Sequence, residues 1–335
     1  MTQTTDTAIL IVGAGLSGLM AANALAKRGL RPHVIDKGYV VGGRLATRRL
    51  GNGHADHGAQ FFTVRNAQFQ TWVDEWKGQE LVYQWSTGWS DGSLAATPPD
   101  GFPRYAVRGG MNALAKVLAA QAEAAGATIR TGVRLTRATQ EQARWVAYDE
   151  AGNVYAAQTL VLTPPVPQSV ALLAAGAVEL TPADQTALAR IAYAPCLCGL
   201  FWVEGDVELP APGAIQRPGE PISWIADNRR KGISDDATVL TVHAGPDWSR
   251  HHYDEDDARL LSLLAEAVTP WLAPHAQIRD GQLKRWRYAL PTSLHPARYL
   301  RGDTLPPLYF AGDAFGGPRV EGAALSGLAV AAAIV

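Results

Sequence analysis

The sequence predicts an α/β fold: a mostly parallel, open sheet interleaved with a smaller α+β unit that carries an antiparallel sheet. Three observations predict it. An apolar run at residues 8–13 enters the glycine turn GAGLSG, and residues 16–28 continue at helical spacing until Gly29. A second strand, residues 33–36, follows at once. Strand, glycine turn, helix and strand in roughly 30 residues make a βαβ unit, which starts a parallel sheet. The far end repeats the logic: an apolar strand at 308–311, then Gly312-Asp313, then an apolar helix. Between these ends the pattern is interrupted. Trp72, Trp76, Trp85 and Trp89 crowd residues 66–105, which read as an insertion that leaves the sheet.

The sheet pattern returns at Gly110. Met111, Leu114 and Leu118 lie on one helical stripe, Gly126 ends that helix, and residues 128–131 enter a strand. Residues 135–139, 144–149 and 154–157 read as a short meander, with Gly152 and Asn153 in its last turn. Residues 159–162 form a further apolar strand, stopped by Pro164 and Pro165. Thr181 caps a helix that has Pro182 at its first position. Residues 192–203, 223–226 and 238–243 read as strands of the second unit. The acidic stretch 254–257 precedes an apolar helix at 258–272, where negative charge complements the helix dipole.

Composition bounds the chemistry. Of the 335 residues 47% are apolar and 18% charged, which excludes a disordered chain. Thirty Lys and Arg against 31 Asp and Glu give a net charge of −1, so there is no electrostatic footprint for nucleic acid or an anionic membrane. Two cysteines, Cys196 and Cys198, make neither a disulfide framework nor a metal cluster, and read as inert buried thiols. The N-terminus lacks the basic and apolar regions of a signal peptide. The apolar tract at 323–335 falls short of the roughly 20 residues a bilayer requires. A cytoplasmic location is the default.

The glycine turn carries the first chemistry. Gly13 permits the tight turn, Gly15 lets a diphosphate approach the backbone, and Gly18 allows helix and strand to pack closely. The helix start then offers unpaired N–H groups to the phosphates. Asp36 follows where a ribose diol is held. Together these features read as a Rossmann-type dinucleotide site. Gly42-Gly43-Arg44 adds a second glycine loop and a forked cation that can close on the same diphosphate. The helix start near Val320 would stabilise the charge a flavin gains on two-electron reduction.

GAGLSG, DKGYVVGGRLATRR, DHGAQFFT and the terminal FAGDAF and VEGAALSGLAVA together resemble the FAD-dependent amine oxidase superfamily. DHGAQFFT and KRWRYALP look like its renalase branch, bacterial members in particular. The resemblance implies non-covalent FAD held by Gly13, Gly15, Ser17, Gly18, Asp36, Lys37, Gly43, Arg44, Gln60, Phe61, Val133, Asp313, Val320, Glu321 and Gly322. It implies an FAD-binding domain of residues 1–65, 106–165 and 284–335, and a substrate domain of residues 66–105 and 166–283. It further implies oxidation of 2- or 6-dihydro isomers of NAD(P)H to NAD(P)+, with O2 reduced to hydrogen peroxide.

One departure bears on the reaction. Amine-oxidising relatives carry a lysine at the start of the strand read here at 198–202, and this sequence has none there. The cysteine that binds flavin covalently in monoamine oxidases is also unmatched. Phe61, Phe62, Trp286 and Tyr288 are the candidate walls of a substrate pocket, and His243 a candidate partner for a carboxamide or phosphate. No residue stands out as a catalytic acid or base, and no metal is expected. Two other readings fit the same frame: an amine oxidase or desaturase on another small substrate, and a non-enzymatic flavin-binding redox sensor.

Overall fold

The computed structural model describes residues 3–93 and 101–334. Residues 94–100 of the expected insertion lie outside the described residues. The chain forms two compact units, each assembled from separated segments. Met1–Arg44, Leu114–Ala192 and Pro291–Val335 make the first; Leu45–Ala113 and Tyr193–Leu290 make the second.

The first unit holds an eight-stranded sheet. Its parallel core runs Leu308–Phe310, Val154–Leu162, Thr4–Val12, His33–Ile35 and Thr128–Arg130 in spatial order. Leu10, Ile11, Val34, Ile35, Leu160, Val161 and Leu162 have no exposed surface, as expected of parallel strands covered on both faces. Leu300–Gly302 adds an antiparallel edge, and the strands Leu135–Glu141 and Arg144–Asp149 join through Val154–Leu162. The sequence suggests two strands over that last segment, and the structure has one. No glycine or proline interrupts it, and Thr4–Val12 pairs along its whole length, so the ladder never stops.

Two helices meet in this unit through a glycine. A Cβ at Gly327 of the final helix, Arg319–Ala333, would stand 2.1 Å from the Ser17 carbonyl oxygen in the first helix, Leu16–Lys27. Arg28 then closes the final helix, its guanidinium donating to Ala331 O at 2.6 Å and Ile334 O at 2.8 Å. A cation on those last carbonyls satisfies acceptors that the helix itself leaves open.

The second unit is built on a five-stranded sheet, ordered Ala214–Gln216, Ile222–Asp227, Thr238–Ala244, Ala192–Glu204 and Gln277–Ser293. The first four pair antiparallel. One face packs Leu197, Phe201, Leu240 and Val242 against Leu260 and Leu264 of the helix Asp257–Glu266. The other face sets Cys198, Leu200 and Val239 against Leu50 and Ala55 of the hairpin Thr47–Leu50 and Gly53–Asp56. That hairpin draws residues 45–65 into the second unit, whereas the sequence reading keeps them with the cofactor domain. Residues 166–192 go the other way, into the first unit. There Gly176 lies so close to the strand Leu135–Glu141 that a Cβ would meet Ala138 O at 1.8 Å.

Local signals hold at several ends. Thr181 Oγ1 accepts from Asp184 N, and Asp256 accepts from Ala258 N and Arg259 N, so those acidic residues do cap a helix. The helix is shorter than its apolar pattern, because Pro270 turns its tail into a separate 3₁₀ turn, Thr269–Trp271. Both cysteines are free and sit on one strand. Among the described residues no helix is long and apolar enough to cross a membrane, and no metal-ligating cluster occurs.

Candidate functional site

In the first unit the glycine turn is fixed from both sides. Gly13, at φ +102°, donates to Ile35 O, and a Cβ there would stand 2.4 Å from Thr163 Oγ1. A Cβ at Gly18 would stand 1.9 Å from Gly13 O. These two glycines are demanded by the protein itself. Gly15 differs. Its φ of −75° suits any residue, and a Cβ there would meet nothing within 4 Å. Open space over a helix start, with the buried Ser17 hydroxyl unpartnered in the first turn, fits a bound diphosphate.

Asp36 closes the acidic end of the site. Its carboxylate accepts from Ala14 N and Gly38 N, both at 2.6 Å, which ties the first glycine turn to the loop after the second strand. Val133 lies beside it, its N–H donating to Asp36 O. Lys37 turns outward and donates to Gln168 Oε1. The second glycine loop packs on the first: Gly42 N donates to Ala14 O, and a Cβ at Gly43 would lie 3.5 Å from Gly15 Cα. Arg44 then reaches Asp313 in a fork of two 2.6 Å hydrogen bonds. The expected cation is therefore held by the expected acid, which fixes its plane.

The final turn is equally tight. Arg319 has φ +70°, and a Cβ at Gly322 would stand 1.8 Å from Gly317 O. Gly312 N donates to Ser326 Oγ, so the start of the final helix, with Val320, Glu321 and Gly322, is drawn back onto the Gly312-Asp313 strand end. All the expected cofactor residues except Gln60 and Phe61 belong to this first unit.

In the second unit a buried ion pair organises the rest. Lys231 and Asp56 have fully buried side chains, and Lys231 Nζ donates to Asp56 Oδ2 and to Gln60 O, both at 2.6 Å. Burial pushes the Lys231 amine below its ordinary value against the pull of Asp56. The other Asp56 oxygen accepts from Thr47 Oγ1 and Met111 N. Gln60 is thereby oriented. Its Nε2 donates to Asp56 O and Gly58 O, which leaves Oε1 buried and unpartnered.

The residues from 57 onward meet the sheet face. Across three neighbouring strands Trp224, His243 and Cys198 stand directly opposite one another. His57 stacks on Trp286 with centroids 5.4 Å apart and planes 20° apart, and Trp286 Nε1 donates to His57 O at 2.8 Å. Burial holds both imidazoles neutral: His57 falls to about 3, with Lys284, Arg48 and His243 adding to the effect, and His243 falls to about 4. Lys284 lies over the Trp286 ring at 5.2 Å.

Phe61 joins an aromatic group, 5.0 Å from Trp89 and 5.5 Å from Trp224 between ring centroids. Tyr288 contacts Tyr193 edge-on. Phe62 is 3% exposed and packs between Phe69 and Tyr105 in the interior. So His243, Trp286 and His57 come together, Phe61 joins through Trp224, and Phe62 stands apart. Sequence reasoning places none of His57, Lys231 and Lys284 at the site. DHGAQFFT marks the segment that carries His57, whereas nothing in the sequence around Lys231 signals a partner 175 positions away.

Comparisons with known proteins agree with this fold. Residues 11–76 match the profile of an NAD(P)-binding Rossmann-like domain, and residues 86–335 that of the flavin containing amine oxidoreductases. A structure from Exiguobacterium sp. 255-15, provisionally described as a protoporphyrinogen oxidase, superposes with a TM-score of 0.71 at 14% identity, covering 100% of this chain and 99% of its own. A putrescine oxidase variant gives 0.70 at 15%, covering 99% of each chain. An oxidoreductase from Methanosarcina mazei gives 0.63 at 14%, covering 97% and 99%. At these identities the likeness is one of fold.

Proposed function

Because this chain belongs to the flavin-containing amine oxidoreductases, we propose that it is an FAD-dependent oxidase of 2- or 6-dihydro isomers of NAD(P)H. Its cofactor is FAD, for which the glycine cradle, Asp36 and the Arg44–Asp313 fork are the holding residues, and we take the attachment to be non-covalent. Burial lifts the Cys196 thiol to about 12 and Cys198 well above its ordinary value, so neither supplies the thiolate a covalent link requires.

The observation that carries the reading is the His57–His243–Trp286 group: three aromatic rings, both imidazoles held neutral by burial, with the Lys284 amine lying over the Trp286 ring at 5.2 Å and no carboxylate among their described contacts. Lysine is missing from the strand Ala192–Glu204, and the Lys231 amine is closed by Asp56 and Gln60. Such a surface suits a donor that releases no proton. When an isomeric dihydropyridine loses a hydride, the C–H electron pair leaves with the hydrogen and the ring becomes an aromatic cation. Trp286 and Phe61 supply faces that favour a developing pyridinium and orient the donor carbon. The chemistry supplied by bound FAD is two-electron acceptance, the reducing equivalents leaving to O2 as hydrogen peroxide.

Anaerobic stopped-flow at the flavin absorbance band tests the proposal. The 2- and 6-dihydro isomers should bleach the flavin within seconds, ordinary NADH far more slowly, and benzylamine or polyamines essentially not at all. Rapid bleaching by a simple amine, with none by the isomers, would select amine oxidation, the reading that family membership favours next.

A further inference from the structure

The hairpin of Thr47–Leu50 and Gly53–Asp56 sorts its side chains onto two faces. Thr47 and Asp56 stand opposite one another, hydrogen-bonded together, on the face that meets Lys231. Arg48 stands opposite Ala55, so both take the other face. His57 follows Asp56 and returns to the Ala55 face, its N–H extending the ladder to Ala46 O at 2.9 Å. There Ala55 packs in the cluster to which Trp286 adds its ring, and His57 stacks on that ring. On the strand Gln277–Ser293, Lys284 precedes Trp286 by two residues and shares its side, with Nζ 5.2 Å from the indole. Arg48 and Lys284 therefore come to the His57–Trp286 stack from two different elements.

Neither cation is neutralised. Arg48 is exposed and Lys284 half-buried, so both are within reach of solvent, and among the described residues neither has a hydrogen bond or an ion pair. The hairpin's one acid, Asp56, is on the opposite face and closed by Lys231. The one acid on the strand of Lys284, Asp280, accepts from Gly281 N and is four residues away, roughly 13 Å along an extended chain. Both cations act on one place, since each helps burial to hold His57 neutral. Two like charges without a counter-ion repel each other, and they oppose any positive charge that forms beside Trp286. A bound anion offsets both effects.

We propose that Lys284 and Arg48 form an anion subsite that takes the diphosphate of the dinucleotide donor, beside the stack that takes its dihydropyridine ring. The inference rests on the dihydronicotinamide reading, whose substrate carries two phosphates and a ring that turns cationic. Arg48 supplies a planar fork that matches phosphate oxygens, and Lys284 a mobile point charge.

Calorimetry on the FAD-loaded protein at pH 7.5 and low salt, with inorganic diphosphate as the probe, tests the subsite. Wild type should bind it, and Lys284→Gln and Arg48→Gln should each weaken binding about tenfold or more, as the loss of one charge-assisted hydrogen bond does. Lys116→Gln removes an exposed lysine of the helix Met111–Ala124 and should keep the affinity within about twofold, since distant surface charges are screened. No binding to wild type, binding that survives both substitutions, or an equal loss in Lys116→Gln overturns the proposal. Flavin reduction separates the subsite from the reading it rests on. The concentration of dihydro isomer that gives half-maximal rate should rise severalfold in both variants. If the isomers fail to reduce the flavin while diphosphate binding still depends on both cations, the substrate reading falls and the subsite stands. If the isomers reduce both variants at wild-type concentrations, the subsite falls and the reading stands.

Discussion

A single lysine illustrates what residue-scale physics does in this protein. Lys231 is fully buried, and an ammonium taken from water is tolerable only with its partners in place. Asp56 and the Gln60 carbonyl are those partners, and Lys231 also lies 5.0 Å from the Trp85 ring. The pair therefore holds the segment carrying His57, Gln60 and Phe61 against the sheet. Lys231→Met should destabilise the protein by about 3–5 kcal/mol, because an uncompensated carboxylate is left buried. Adding Asp56→Asn should recover part of that loss, since the remaining partner is then neutral. Denaturant unfolding of the single and double variants measures both effects; a double variant less stable than Lys231→Met would contradict the pairing. Asp56 is legible in the sequence through its motif, whereas Lys231 is not, because a lone lysine looks like solvated surface until the fold closes over it. Phe62 fails for the opposite reason. It shares the motif with Phe61, but its side chain points to the opposite side and is spent on the interior with Phe69 and Tyr105.

At the scale of elements, the strand–turn–helix at the N-terminus is the most legible part of the chain. Its glycines occupy backbone positions that local geometry demands, so sequence and structure state one constraint. The structure separates what the pattern merges. Gly18 is required by the fold, whereas a Cβ at Gly15 meets nothing in the protein, and we propose that the bound dinucleotide is what needs glycine there. Gly15→Ala should leave thermal stability of the flavin-free protein within about 1 kcal/mol of wild type, while the flavin-to-protein ratio after gel filtration drops severalfold. Gly18→Ala should lower both, because its methyl overlaps the Gly13 carbonyl and a packed turn must move. Equal flavin content in wild type and Gly15→Ala would remove the cradle from this site. The long strand Gln277–Ser293 is one element that sequence reading misses, as is the hairpin of Thr47–Leu50 and Gly53–Asp56. The long strand's central KRWRYAL mixes charged and aromatic residues, most of them half-buried with Arg287 and Leu290 exposed, so no face reads as apolar.

At the scale of the whole molecule, the interleaving was legible because interruptions in the sheet pattern mark each excursion. The borders were not, since they depend on which sheet a hairpin or helix packs against. Both units nonetheless share one electrostatic habit, burying histidines in the neutral form. His33 in the first unit lies edge-on to Tyr155 and falls to about 4, chiefly through burial. His57 and His243 in the second fall to about 3 and about 4. The unfolded chain protonates a histidine near its ordinary value of about 6.5. The sign follows directly. Above that value neither state takes the proton and the stabilisation is fully present. Between about 6.5 and about 4 the unfolded state binds protons that the folded state refuses, so stability falls with falling pH. Each buried histidine contributes a slope of up to about 1.4 kcal/mol per pH unit in that window. Melting temperature of the FAD-loaded protein should therefore drop steadily from pH 7 to pH 5. His33→Phe, which keeps the ring contact and removes the titration, should flatten the curve by about a third. A wild-type profile that stays level over this range would mean that these imidazoles are already charged in the native state.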